Sequence, residues 1–167
     1  PDGAARRIPV GDGGLDQPTW VKGFALGAIA RDAAALSALC TPASIAACAL
    51  PAEVIDSFWP LYCGALAAAL VEPTVASDWI ADAEQALTEV RIAAPDLIEL
   101  LVRPTLRLAD ALVRADATAF NTSLRSAIEA HRRYFAHPDR IYDWNGAIAL
   151  PASALAALAV DRGIALM

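Results

Sequence analysis

By residue type, the strongest chemical candidates in this chain are His131 and His137, but their separation of six residues argues against a shared site. Two metal ligands on one helix face need steps of about three or four residues, as in HExxH. Glu129 completes no such pattern. His131 falls instead on an apolar stripe with Phe120, Leu124, Ala127, Ile128, Tyr134 and Phe135, which makes it a residue of the core or its boundary. Asp78 and Asp82 lie one helical turn apart, with Glu84 and Glu89 close by. Paired carboxylates can do acid–base work or hold a cation. No histidine or glycine loop accompanies these, so a solvated helical face accounts for them better. Ser123, Ser126 and Ser153 lack the GxSxG setting of an activated nucleophile. Gly11-Asp12-Gly13-Gly14 lacks both the lysine-containing ending and the preceding strand of a phosphate loop. The sequence therefore offers no catalytic residue, no metal site and no cofactor.

What remains is surface for contact. Residues 139–149 form a connector that carries Tyr142, Asp143, Trp144 and the turn pair Asn145-Gly146. Tyr, Trp and Arg are the side chains that dominate protein interfaces. Two readings stay open: these aromatics engage a partner, or they pin the connector to the core. Asp139, Tyr142, Asp143 and Trp144 are the first candidates for partner contact, with Asp78 and Asp82 second. Arg125, Arg132, Arg133 and Arg140 form the one basic cluster, and a helix C-terminus favours cations without any ligand. A nucleic-acid binder would show a basic stripe, whereas this chain has a net charge of −6. An acidic surface gives solubility and attracts a basic partner.

Compartment follows from the cysteines and the apolar runs. Cys40, Cys48 and Cys63 are odd in number, lack CxxC spacing and sit among alanines and leucines, as free thiols used as small hydrophobes. A reducing, cytoplasmic setting is the simpler expectation. Arg6-Arg7 lead into no apolar run, so neither a secretory nor a twin-arginine leader is expected. Residues 33–52 carry no charge and are about long enough to cross a bilayer. Thr41-Pro42 breaks that run and Pro51 closes it, so no membrane span is expected. A first residue of proline points to trimming or to the back part of a longer chain.

The elements that must position these residues read as helices throughout. At 167 residues the chain is one domain. Its 57% hydrophobic content is rich in alanine, the best helix former. Residues 1–18 read as a flexible leader or linker, and 19–167 as a single helical domain. A helix from Trp20 carries Phe24, Ile29, Leu36 and Leu39 and bends near Arg31-Asp32. Pro51 opens another with Val54, Phe58, Tyr62 and Leu66, kinked at Pro60. Ser77 caps a third that buries Trp79, Ile80, Ala83 and Leu87. Pro95 starts a helix that Pro104 interrupts, either as a kink or as a junction. Residues 116–135 form the next, and Pro151 opens the last, which ends before Gly163. Any strand is confined to a short pair near Ile148. The fold class is all-α, an irregular helical bundle or stacked antiparallel helix pairs, with about six to eight helices. No repeat of fixed period argues for a solenoid.

One order of motifs carries a resemblance. Ala119-Phe120-Asn121 is followed by Leu124 and Ala127, then Glu129-Ala130-His131 and Arg133-Tyr134-Phe135. The chain closes with an apolar helix ending in Ala159-Val160-Asp161-Arg162-Gly163. Trp20 ahead of an apolar helix and the run from Ile98 to Pro104 sit in matching places. Together these resemble the immunity protein forty-nine family of bacterial polymorphic-toxin systems, over residues 20–167 and most clearly in the C-terminal part. The resemblance implies an all-helical, non-enzymatic protein that binds a cognate toxin in the producing cell and neutralises it by occlusion. It supplies no catalytic residues. The alternative class is a helical adaptor or regulatory domain of a larger protein, with a helix-pair groove for peptides. An enzyme with a cavity between helices would need convergent polar side chains, which the sequence does not signal.

Overall fold

The computed structural model describes residues 16–51 and 53–167. The glycine-rich stretch at Gly11 and most of the expected leader lie outside the described residues. Among the described residues the structure is helical, with no strand. Ile148 is extended but unpaired, which corrects the expected strand pair there.

Helix α1 (Gln17–Ala30) starts ahead of Trp20 because Asp16 accepts a hydrogen bond from the Thr19 amide at 2.8 Å and Pro18 sits in the first turn. Trp20 and Phe24 stack with ring centroids 5.5 Å apart, both fully buried. The expected bend is a break. Arg31 adopts a left-handed conformation (φ 55°) and ends α1, and Asp32 caps α2 (Ala33–Leu39). Thr41 then caps α3 (Pro42–Ala47). The uncharged run that has spanning length is thus folded into two short helices.

The next stretch departs most from expectation. Pro51 opens no long helix; α4 (Phe58–Val71) begins later, and Val54 lies exposed outside it. Pro60 therefore falls in the first turn, where a missing N–H disrupts nothing, and it produces no kink. Asp56, buried ahead of α4, accepts hydrogen bonds from the backbone amides of Arg91, Ile92 and Ala93 at 2.6–3.1 Å. That carboxylate fixes the loop that follows α5 (Pro73–Ala86). Ser77 does not cap α5; Pro73 starts it a turn earlier.

Residues 95–113 are continuously helical through three segments: α6 (Pro95–Leu97), a π turn (Ile98–Val102) and α7 (Arg103–Val113). Pro104 cannot donate to an α-helical partner. The chain accommodates it by widening, with the Arg103 amide bonded to the Ile98 carbonyl, five residues back. The result is a π bulge, neither of the two forms expected from the sequence. Helix α7 packs against α4, α5, α8 (Ala117–Phe135) and α9 (Leu150–Asp161). Leu106, Leu108, Ala109 and Leu112 on it are almost wholly buried. Consecutive helices pair as α4 with α5 and as α7 with α8, and α1 lies against α9, so the described ends of the chain meet.

The small residues of α4 let its neighbour approach closely. Residues 62–69 are all buried. A Cβ placed on Gly64 would stand 2.4 Å from the Trp79 ring of α5. Trp79 is consequently packed closely against α4 while remaining 39% exposed, rather than buried in the core as its position in the pattern suggests. Helix α9 has 12 residues and rises about 18 Å, short of a hydrocarbon core of about 30 Å. The apolar stretch Trp144–Asp161 that includes it is interrupted at Ile148 and Ala149, where no helix forms.

Candidate functional site

The motif residues behind the resemblance are structural fasteners. Phe120 is fully buried. Asn121 donates to the carbonyls of Ala117 and Ala165 and accepts from the Met167 amide at 2.8–2.9 Å, which clamps the C-terminal residues to α8. Arg162 donates to the carbonyls of Ala69 and Leu70, closing the C-terminal turn of α4. Arg31 and Asp161 pair at 2.9 Å and tie α1 to α9.

The connector between α8 and α9 is held down at several points. Helix α8 ends at Phe135, and successive turns follow, with Asp143 bonded to Arg140 and Gly146 to Asp143 through the backbone. Arg140 pairs with Asp96 of α6 at 2.6 Å and lies over the Tyr134 ring at 3.9 Å. That guanidinium holds the Asp96 carboxyl below the usual carboxylate range, against the small opposing effect of burial. His131 donates from Nε2 to the Asn145 carbonyl at 3.2 Å. Burial pushes the His131 pKa below its ordinary value, partly offset by this bond, so the ring favours its neutral form. Gly146 passes so close to Phe135 that a Cβ there would stand 2.9 Å from it.

This fastening uses the Arg140 side chain, Asn145 and backbone groups, and it leaves the connector's aromatics outward. Tyr142 is 93% exposed and Trp144 71% exposed, so neither packs into the core. Lys22 of α1 lies over the Trp144 ring at 5.3 Å. Asp139 is exposed, beside His137 at 3.6 Å. Asp143 caps a short 3-10 turn (Trp144–Ala147), its Oδ1 accepting from the Asn145 backbone amide and side-chain amide at 2.9 and 2.6 Å. Four of the six candidate contact residues therefore lie on this one connector, Tyr142 and Trp144 outward among them. Asp78 and Asp82 are exposed on α5, which packs on α4 and α7 and contributes nothing to the connector's surroundings. Of the acidic residues on that helix, Glu84 is the one drawn into an ion pair, with Arg103.

Beside the connector lies a half-open cleft of about 270 Å³. Its walls come from α1, α4, α6, the π turn, α7, α8, the connector and the start of α9. They are mostly apolar, including Val21, Trp59, Leu97, Leu101, Phe135 and Leu150. Lys22, His131, Asp143 and Asn145 supply polar groups to the lining. The sequence does not reveal this cleft, because its walls come from residues far apart in the chain. The only local signals are the solitary lysine, Lys22, and the Asn145-Gly146 turn pair.

No group of metal-ligating side chains comes together among the described residues. Cys40, Cys48 and Cys63 are free, and burial pushes the Cys40 thiol up to about 11, far from the range of a reactive thiolate. No curated protein and no solved structure is similar enough to match the chain. A protein family does match, over residues 2–167, which extends the likeness beyond the C-terminal part to essentially the whole sequence. Its description is Immunity protein 49, and the chain belongs to that family.

Proposed function

We propose that this protein binds a cognate bacterial toxin in the cytoplasm of the cell that makes it and neutralises it by occlusion, without catalysis. The family match over residues 2–167 carries the reading. The geometry supports it through the connector, whose backbone is fastened to α6 and α8 while Tyr142 and Trp144 stand exposed. A rigid loop bearing exposed aromatics loses little conformational freedom on binding. Asp139, Tyr142, Asp143 and Trp144 form the primary contact face, and Asp78 and Asp82 a secondary one. The net charge of −6 favours a basic partner surface and speeds encounter with it. Nucleic acid, membrane, metal and cofactor have no part in this action.

The test is co-expression with the toxin encoded beside this protein. Cells that carry both genes survive and cells with the toxin alone do not. Equal killing in the two cases would remove the reading.

A further inference from the structure

The connector between α8 and α9 carries a covalent hazard that its own packing demands. In an Asn-Gly pair the glycine nitrogen can attack the asparagine side chain, because no Cβ on the glycine stands in the way. Both halves of Asn145-Gly146 are dictated by the fold. A Cβ on residue 146 would stand 2.9 Å from Phe135, so only glycine fits there. Residue 145 has to donate through its side chain, since Asp143 Oδ1 accepts from the Asn145 side-chain amide at 2.6 Å and from its backbone amide at 2.9 Å. An aspartate in its place would set two carboxylates within hydrogen-bond distance of each other.

The same geometry restrains the reaction. Cyclisation needs the Gly146 nitrogen stripped of its proton and the Asn145 side chain free to swing onto it. The Gly146 N–H is donated to the Asp143 carbonyl at 2.9 Å, and the Asn145 NH₂ to the Asp143 carboxylate. The charge of that carboxylate also disfavours an amide anion beside it. His131, bonded to the Asn145 carbonyl at 3.2 Å, holds the backbone from the α8 side. Asp143 therefore ties down both the attacking nitrogen and the group it would attack.

We infer that Asn145 is a site of self-modification by deamidation, that Asp143 guards it, and that its conversion unfastens the connector from α8. Hydroxide takes the Gly146 amide proton, and the nitrogen bonds to Asn145 Cγ. The Cγ–Nδ2 bond breaks, and Nδ2 leaves as ammonia with a proton from water, which restores the hydroxide. Water then opens the succinimide at either carbonyl and leaves aspartate or isoaspartate. Both products place a new carboxylate close to Asp143. In isoaspartate, the carbonyl that accepts from His131 becomes part of that carboxylate. The consequence for toxin binding, and that alone, rests on the proposed function.

The test is peptide mass mapping during incubation at mildly alkaline pH. It compares the folded protein, the protein in concentrated urea, and the Asp143→Ala and Asp143→Asn variants, each checked for cooperative thermal unfolding. Conversion at Asn145 is expected to be at least about tenfold slower in the folded protein than in urea. Asp143→Ala is expected to speed it at least about fivefold, and Asp143→Asn, whose amide oxygen still accepts, to fall between. Equal rates in the folded protein and in urea overturn the inference without requiring any variant to fold. Conversion in folded Asp143→Ala no faster than in the unaltered protein overturns it as well. Amide NMR of the converted protein is expected to show His131 and Gly146 moved, and unmoved signals would contradict the unfastening. Toxin affinity of the converted protein is expected to fall at least about tenfold. Absence of toxin binding by the unconverted protein would instead remove the proposed function, and the rates and NMR signals would still decide the site.

Discussion

At the scale of single residues, the polar side chains that matter most here are ones that organise backbone. Asp56 is the clearest. Burial alone would raise its pKa, but the three amides of residues 91–93 and the nearby Arg91 charge outweigh that, and the carboxyl sits below its ordinary value of 3.8. The unfolded chain therefore takes up the proton first as pH falls. The contribution of Asp56 is complete above about pH 4 and is lost on further acidification through its folded-state value. Asp56→Ala is expected to cost about 3 kcal/mol in chemical denaturation at neutral pH, because three backbone amides lose the buried charged acceptor they share. His131 gives a second dependence in a different window. Its folded pKa lies below 6.5, so its contribution is full above that value and is lost as pH falls through the folded value. A fall in Tm is expected on going from pH about 7 to about 5, and His131→Gln is expected to flatten it. An equally steep profile in the variant would show that His131 is not the group responsible. The fastener role of His131 at the core boundary is legible in the apolar stripe. That of Asp56 is not, since its partners lie 35 residues on in a loop that carries no motif.

At the scale of elements, legibility follows how local the cause is. The end of α8 at Phe135, ahead of His137-Pro138, and the close of α9 before Gly163 are read correctly from short-range signals. The start of α4 is misplaced because Pro51 and Val54 fit a helical pattern that Asp56 overrides by bonding a distant loop. Pro104 suggests a kink or a junction, whereas the π bulge depends on packing that holds the helix together on both sides. The α4–α5 contact is set by Gly64, whose significance appears only once Trp79 lies over it. Gly64→Ala is expected to destabilise the fold by about 2 kcal/mol in urea unfolding, by forcing the Trp79 ring outward. A neutral effect would mean that the two helices are not in close contact there. The connector's outward face is half legible. Its residue types mark it as a contact surface or as a pin, and the choice between them depends on burial, which the sequence does not contain.

At the scale of the whole molecule, α7 at the centre and the meeting of α1 with α9 make one body on which the connector is mounted. Fold class and family are both readable from the sequence, one from alanine-rich helical periodicity and the other from motif order. The cleft is not, because eight elements converge on it and no stretch of chain announces it. Electrostatics acts at this scale as well. With a net charge of −6 and the basic partner proposed above, raising the salt concentration is expected to slow toxin association while leaving dissociation nearly unchanged, as measured by stopped-flow mixing. The most direct test of toxin capture through the connector is calorimetric titration of the proposed cognate toxin into the protein and into the Tyr142→Ala, Trp144→Ala double variant. A saturable complex is predicted with the unaltered protein, weakened at least about thirtyfold in the variant with no change in Tm. Binding that is absent from the unaltered protein, or equal in both proteins, would contradict it.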